Sequence, residues 1–520
     1  MNEKELKNQD NKIIVKTGGY LPFRYALAIF ITIAEIVLII ALIAMLCVKC
    51  KWFYLVAVLI QFTCVLKVIS SDDNPDYKAP WLFIILILPI VGFTLYILLY
   101  SRKLGGVYRK RFNEISKRNY IFDDSSNFKN LKEENESAFV QAKMLCKIAD
   151  THLFANCKQE YFSSGESAWQ SMLCDIKSAE KFIYLEYFII EQGKFWDSIL
   201  ELLKEKASRG VEVKVVYDDI GCMKTLPQDY YRKLKKMGID ATPFSILKPS
   251  ASSEFNNRTH RKMLIIDGKI AYTGGINLAD EYINAKKRFG YWKDCAVRLE
   301  GECVWEFVEL FLADYGLNAL KLPAKRKDYY PNSDLKECGY IVPFGDGPTP
   351  VYQRRVAMSA IQNLIDNATK YCYITTPYLI PDNDTCHSLE KAALKGVDIR
   401  IVLPGIPDKK TIFSISRSYY YRLMKAGVKI YEYKPGFVHS KLYLADDLFA
   451  IMGSVNLDYR SLAHNFENAV WSYGTQTVLE VKKDIEKVFE DCVLIEKGMV
   501  KMNLLQSIWV GAIRIFAPLL

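Results

Sequence analysis

"HSKLYLADDLFAIMGSVN", residues 439–456, decides how this chain is read. It sets a lysine two residues after a histidine, an aspartate five residues later, and a Gly-Ser-x-Asn element after a further gap. One such stretch is unremarkable, since a chance H-x-K-x4-D at any one histidine is on the order of one in a few hundred. Here it has a twin, "HRKMLIIDGKIAYTGGIN", residues 260–277. Both copies fit H-x-K-x4-D-x6-G-[GS]-x-N, in a chain with only five histidines.

The flanks repeat as well. "KFIYLEYFII" (181–190) matches "KYCYITTPYLI" (370–380), and "LKEKASRGVEVKVVYDD" (203–219) matches "LEKAALKGVDIRIVLPG" (389–405). "YYRKLKKMGID" (230–240) matches "YYYRLMKAGVK" (419–429). Apolar strand-like runs alternate with amphipathic helical stretches, which is an α/β pattern. Gly210 and Gly396 are expected to end the helices that lead into "VEVKVVY" and "VDIRIVL". Two such halves predict a duplication with a pseudo-two-fold axis, each half a mixed β-sheet flanked by helices. The first half has about ten extra residues around "ILKPSASSEF", just before its histidine, which reads as a rim loop.

The spacing suits phosphoryl chemistry. Side chains two apart on a strand share a face, so His260 with Lys262, and His439 with Lys441, point together. A two-fold axis would gather both pairs around one ligand. The lysines, with Asn277 and Asn456 and the adjoining Gly275 and Ser454, are expected to bind phosphate oxygens without a metal. Two imidazoles can divide the work, one attacking phosphorus and one moving the proton. Each needs an acceptor on its other nitrogen. Asp294 in "YWKDCAV" and Glu467 in "NFENAV", downstream of each motif, are the candidates. Asp267 and Asp446 complete the catalytic motifs but end their strands, a place suited to fixing a turn.

The front of the chain is different. Apolar runs cover Tyr25–Val48, Trp52–Ile69 and Trp81–Leu99, each near the ~20 residues that cross a bilayer. Basic flanks orient such segments. "SRKLGGVYRKRFNEISKR" (101–118) places the body in the cytoplasm, and the acidic "SSDDNPDYKA" (70–79) would lie outside. Three spans then put the N-terminus outside, against the basic tail carrying Lys4, Lys7, Lys12, Lys16 and Arg24. The expected organisation is a tail (1–24), a membrane segment of two to three transmembrane helices (25–100) and a basic linker (101–135). Two repeats (136–330 and 331–500) follow, then a C-terminal helix on the membrane surface or against the body (501–520). The net charge of +10 suits anionic partners. Thirteen scattered cysteines make no disulfide framework, and no His/Cys cluster has metal-ligand spacing, so neither metal nor cofactor is expected.

The doubled motif resembles that of the phospholipase D superfamily. "FNNRTHRKMLIIDGKIAYTGGINLADEY", "YWKD", "TPYLIPD", "HSKLYLADDLFAIMGSVNLDYRSLAHNFE" and the ending "APLL" are similar to its bacterial cardiolipin synthases. Thr259 stands where that family leads one to expect Asn. The resemblance implies tandem phospholipase D-like repeats in the cell membrane. The implied reaction turns two phosphatidylglycerols into cardiolipin and glycerol through a phosphatidyl-histidine. His260 is then the nucleophile and His439 the acid/base, with anionic phospholipid as partner and no nucleic acid. Hydrolysis to phosphatidic acid, or a membrane-tethered nuclease of the same superfamily, are the alternatives.

Overall fold

The computed structural model describes residues 23–99, 122–247, 257–319, 335–349, 351–352, 354–500 and 503–519. Most of the basic linker and of the "ILKPSASSEF" loop lies outside them. Each half builds a mixed sheet. In the first, the strand order is Lys158–Phe162, Ala296–Glu300, Ile270–Gly274, Lys262–Ile266, Phe182–Tyr187, Glu212–Asp218, Asp240–Phe244. In the second, the matching order is Tyr340–Asp346, Glu467–Tyr473, Phe449–Gly453, Leu442–Ala445, Tyr371–Thr375, Asp398–Pro404, Lys429–Tyr433. Phe154–Ala155 and Cys492–Leu494 extend its two edges. The motif strand of each half runs antiparallel to its neighbour, which is parallel to the next. Gly210 and Gly396 follow their helices with φ of +88° and +94°, which a side chain would resist.

The sheets face one another. Met263 and Ile265 meet Leu442 and Leu444 in a shared core. Leu264 and Ile266 point the other way, under the helices of the first half, as Tyr443 and Ala445 do in the second. This period-two alternation buries both faces of each motif strand. Each buried aliphatic contributes about 1.5–3 kcal/mol, so the histidines at the strand ends sit on a stiff support. Glu136–Ala149 packs on the second half, and Phe154–Ala155 pairs with Tyr340 and Ile341.

The membrane segment departs from the three-span expectation. Phe23–Lys49 and Lys51–Ile69 form a helical hairpin, and both are long and apolar enough to cross a bilayer. The third run breaks at Leu88 into Pro75–Ile87 and Pro89–Leu99. Proline has no amide to continue the ladder. The two pieces fold back so closely that a side chain at Gly92 would collide with the backbone of Ile84 and Ile85. The acidic link between runs two and three is not remote from the body. The Asn74 amide donates to Asp382 at 3.0 Å, Asp76 accepts from the Asn383 amide at 2.7 Å, and Tyr459 donates to Asp76 at 3.0 Å. At the start of the first helix, the Tyr25 hydroxyl donates to Asp219 at 3.0 Å. Link and body therefore lie together, which overturns the placing of the link on the opposite side.

Candidate active site

The two motif strands present their polar ends to each other across the sandwich. Backbone bonds between the halves lock them there. The His260 amide donates to the Phe466 carbonyl at 2.8 Å, and the Phe466 amide to the Arg258 carbonyl at 2.8 Å. In the matching place, Gly436–Val438 pairs with Tyr291–Lys293, and the His439 amide donates to the Lys293 carbonyl at 2.7 Å. Each histidine is thus pinned beside the residue that precedes the other half's acid.

The side chains follow this exchange. His260 Nδ1 lies 2.9 Å from both carboxylate oxygens of Glu467, and His439 Nδ1 lies 2.7 Å from Asp294 Oδ2. Every histidine takes its orienting acid from the opposite repeat. Both acids are fully buried, and each histidine is under one-tenth exposed. Lys262 donates to the His260 carbonyl at 2.7 Å, and Lys441 donates to the His439 carbonyl. Each lysine therefore folds back onto the backbone of its own histidine.

Electrostatics set the protonation. Burial, which outweighs the attraction of Glu467, holds His260 down to about 4. Burial and the charge of Lys441 hold His439 down to about 3. Burial also lowers Lys262 to about 7 and Lys441 to about 8. It pushes Glu467 and Asp294 up, but the paired histidines and the lysines outweigh it, and both carboxylates stay low. The site without ligand holds two carboxylates and two neutral imidazoles. An anion bound there would favour the protonated imidazole and both ammonium groups.

The residues after the motifs serve these acids. A side chain at Gly275 would collide with Asp294 Oδ1, so only glycine leaves room for the carboxylate. Ser454, its counterpart, is buried and donates its hydroxyl to Glu467. Gly275 and Ser454, expected to bind phosphate oxygens, stand against these two acids. Asn277 is likewise engaged, accepting from the Ile189 amide at 3.1 Å and donating to Tyr282 at 2.8 Å. Asn456 differs, because its buried Oδ1 has no hydrogen-bond partner among the described residues.

Asp267 and Asp446 lie at the far ends of their strands, seven residues from the histidines, a span of roughly 20 Å at ~3.3 Å per residue. Asp267 accepts from the amides of Glu180, Lys181 and Phe182 at 2.7–2.8 Å. Asp446 accepts from those of Thr369, Lys370 and Tyr371 at 2.7–2.9 Å. Both turn the chain at positive φ, +53° and +56°. They hold the start of the neighbouring strand and stay clear of the reacting atoms.

Aromatic walls were missed from sequence. Phe188 stands edge-on to His260 at 5.3 Å, and Tyr282 and Trp292 lie 5.4 and 5.3 Å from His439. Trp292 was within view in "YWKD", one residue into the only Trp-x-Asp of that region. Thr259 donates to buried Glu186, and its amide donates to Asp218 at 3.1 Å. This residue therefore ties the first histidine's strand to a buried acid.

A duplicated α/β sandwich whose halves each supply a histidine, a lysine and the other half's acid is the architecture of phospholipase D-like proteins. Residues 172–288 and 361–492 match the family described as "Cardiolipin synthase, PLD-like domain", and residues 52–99 match "Phospholipase_D-nuclease N-terminal". A cardiolipin synthase of Halalkalibacterium halodurans is 31% identical over 82% of this chain and 86% of its own. One of Geobacillus kaustophilus is 32% identical over 82% and 86%. An uncharacterized protein of Streptococcus mutans is 39% identical over 88% of this chain and 99% of its own. The phosphatidylserine synthase of Haemophilus influenzae shares the fold, with a TM-score of 0.56 at 15% identity, over 74% of this chain and 98% of that one. The chain belongs to the cardiolipin synthase family of phospholipase D-like enzymes.

Proposed function

We propose that this enzyme transfers a phosphatidyl group from one phosphatidylglycerol to another, giving cardiolipin and glycerol. The observation that carries the reading is the crossed pairing of His260 with Glu467 and of His439 with Asp294. Each carboxylate fixes the proton on Nδ1 and leaves Nε2 for chemistry. His260 Nε2 attacks phosphorus, the bond to glycerol oxygen breaks, and protonated His439 gives that oxygen its proton. The terminal hydroxyl of a second phosphatidylglycerol then gives its proton to His439 and attacks phosphorus as the P–N bond breaks. Lys262 and Lys441 neutralise the phosphoryl oxygens throughout, and the free Oδ1 of Asn456 suits a substrate hydroxyl.

The membrane hairpin fits the same substrate, which resides in a bilayer. With two spans, both ends of the hairpin face the body's side, and the sequence beyond them is basic at 4–24 and at 101–118. By charge that side is cytoplasmic, although Lys49 and Lys51 at the distal turn oppose it.

The test is mass spectrometry of lipids after incubation of the full chain with phosphatidylglycerol vesicles in chelator. Cardiolipin with glycerol is expected. Phosphatidic acid alone would make the protein a hydrolase, and loss of activity in chelator would end the metal-free scheme. Trapping the intermediate tests the order. If His260→Ala still accumulates phosphatidyl-enzyme and His439→Ala does not, the roles are reversed.

A further inference from the structure

The C-terminal helix Leu504–Phe516 starts with a capping box between Asn503 and Gln506, yet its outer face is uncovered. Leu505 and Trp509 are 78% and 65% exposed, and Leu504 and Ile508 are exposed beside them. The helix is joined to the membrane segment, because Phe516 meets Phe83 edge-on at 5.8 Å. An apolar face with a Trp, continuous with bilayer helices, belongs in the membrane interface. On its inner side the helix is not sealed against Lys410–Ala426. A cavity of ≈ 430 Å³ separates them. Ile415, Val510 and Ile513 make its apolar wall, and Lys410, Ser414 and Arg417 bring charge and a hydroxyl. Arg417 is paired with Glu432 at 3.3 Å, whereas Lys410 has no ion pair among the described residues. Among the described residues no carboxylate lines the cavity.

A second cavity, of ≈ 230 Å³, shares Ile415 and continues inward to Asp458 and Arg460. Asp458 lies two residues past Asn456 of the second motif. An apolar wall beside a cation without an ion pair, under a helix whose outer face suits the membrane interface, is what an anionic phospholipid requires: chains on one side, phosphate on the other.

We propose that the cleft between Lys410–Ala426 and the C-terminal helix holds an anionic phospholipid drawn from the bilayer, its phosphate at Lys410, on its way to the histidines. This rests on the cardiolipin synthase reading for the lipid's destination. The test uses the full-length His439→Ala chain in phosphatidylethanolamine vesicles. Phosphatidylglycerol or phosphatidylcholine, each with the same photoreactive acyl chain, is cross-linked and the adducts mapped. The phosphatidylglycerol probe is expected to label residues 410–417 and 504–516 roughly tenfold more than the phosphatidylcholine probe. Lys410→Glu should erase that preference, and Lys410→Gln should reduce it, both at an unchanged thermal midpoint because the side chain is exposed. Equal labelling by the two probes, or adducts confined to residues 23–99, overturns the site. Failure of the activity itself is seen separately, as absence of cardiolipin from the unmutated chain.

Discussion

Replacing Asp294 by Asn tests the crossed pairing at its most sensitive atom. Asp294 Oδ1 already accepts the Cys295 amide at 2.9 Å, and Oδ2 faces His439 Nδ1 at 2.7 Å. In Asp294→Asn the amide oxygen must keep the Cys295 bond, so the NH2 group faces His439. Nδ1 then becomes the acceptor and the ring proton moves to Nε2, the wrong tautomer for a base. The variant also removes a buried charge next to the imidazolium of the transition state. At an effective dielectric near 20 and about 4 Å between charge centres, that attraction is about 4 kcal/mol. At 1.36 kcal/mol per decade it alone accounts for about a thousandfold in rate, with the tautomer error added. The assay is cardiolipin formation from phosphatidylglycerol vesicles, with kcat and KM separated. The fall should appear in kcat. A double-mutant cycle on thermal stability supplies the second readout. Asp294→Asn should couple to His439→Ala by about 0.5–3 kcal/mol, the range for residues in contact. Coupling to His260→Ala instead, or a loss of less than about tenfold in kcat, would falsify the crossed arrangement.

Three further outcomes are expected. Asp446→Ala strands the buried Tyr371 amide at about 1–3 kcal/mol, and Asp267→Ala frees amides that are exposed or partly buried and should cost less, so denaturant midpoints should drop, more for Asp446→Ala, while the folded fraction keeps its turnover; a selective loss of kcat at full stability would return these aspartates to the chemistry. Lys262 ionises near 7 when folded against 10.5 unfolded, so between those values the unfolded chain holds the extra proton and stability rises with pH. Lys262→Met should therefore raise the thermal midpoint most below about pH 7 and gain little near pH 10.5, and a benefit independent of pH would mean that burial of the charge is not its source. Cys50, exposed at the hairpin turn, and Cys174, exposed on the body, should react with an impermeant maleimide from opposite sides of a vesicle, and labelling from one side would rule out the two-span hairpin.

The parts of the site that are local in sequence were legible there. His260 with Lys262, and His439 with Lys441, needed only the two-residue strand period and the second copy. Asp294 and Glu467 were visible as acids at strand starts, but not their exchange. Nor was it visible that Gly275 and Ser454 stand against those acids. The third apolar run was counted as a span because hydropathy averages over a window, although Pro89 and Gly92 stood in its middle as signs of a break. The acidic link was placed by charge alone, while its contacts to Asp382, Asn383 and Tyr459 come from residues 307 to 383 positions away.

By itself the sequence determined the duplicated α/β architecture, the two His–Lys pairs and the presence of a membrane segment. All of these are periodic or repeated, and periodicity is a property of neighbours along a chain. Only the tertiary structure decided which acid holds which histidine. The sheets pack face to face, so the strand ends of one repeat abut the loops of the other, and a bond made across that junction leaves no trace in the spacing of residues. The same packing makes neither repeat complete alone: His260 is set for chemistry by Glu467, and His439 by Asp294.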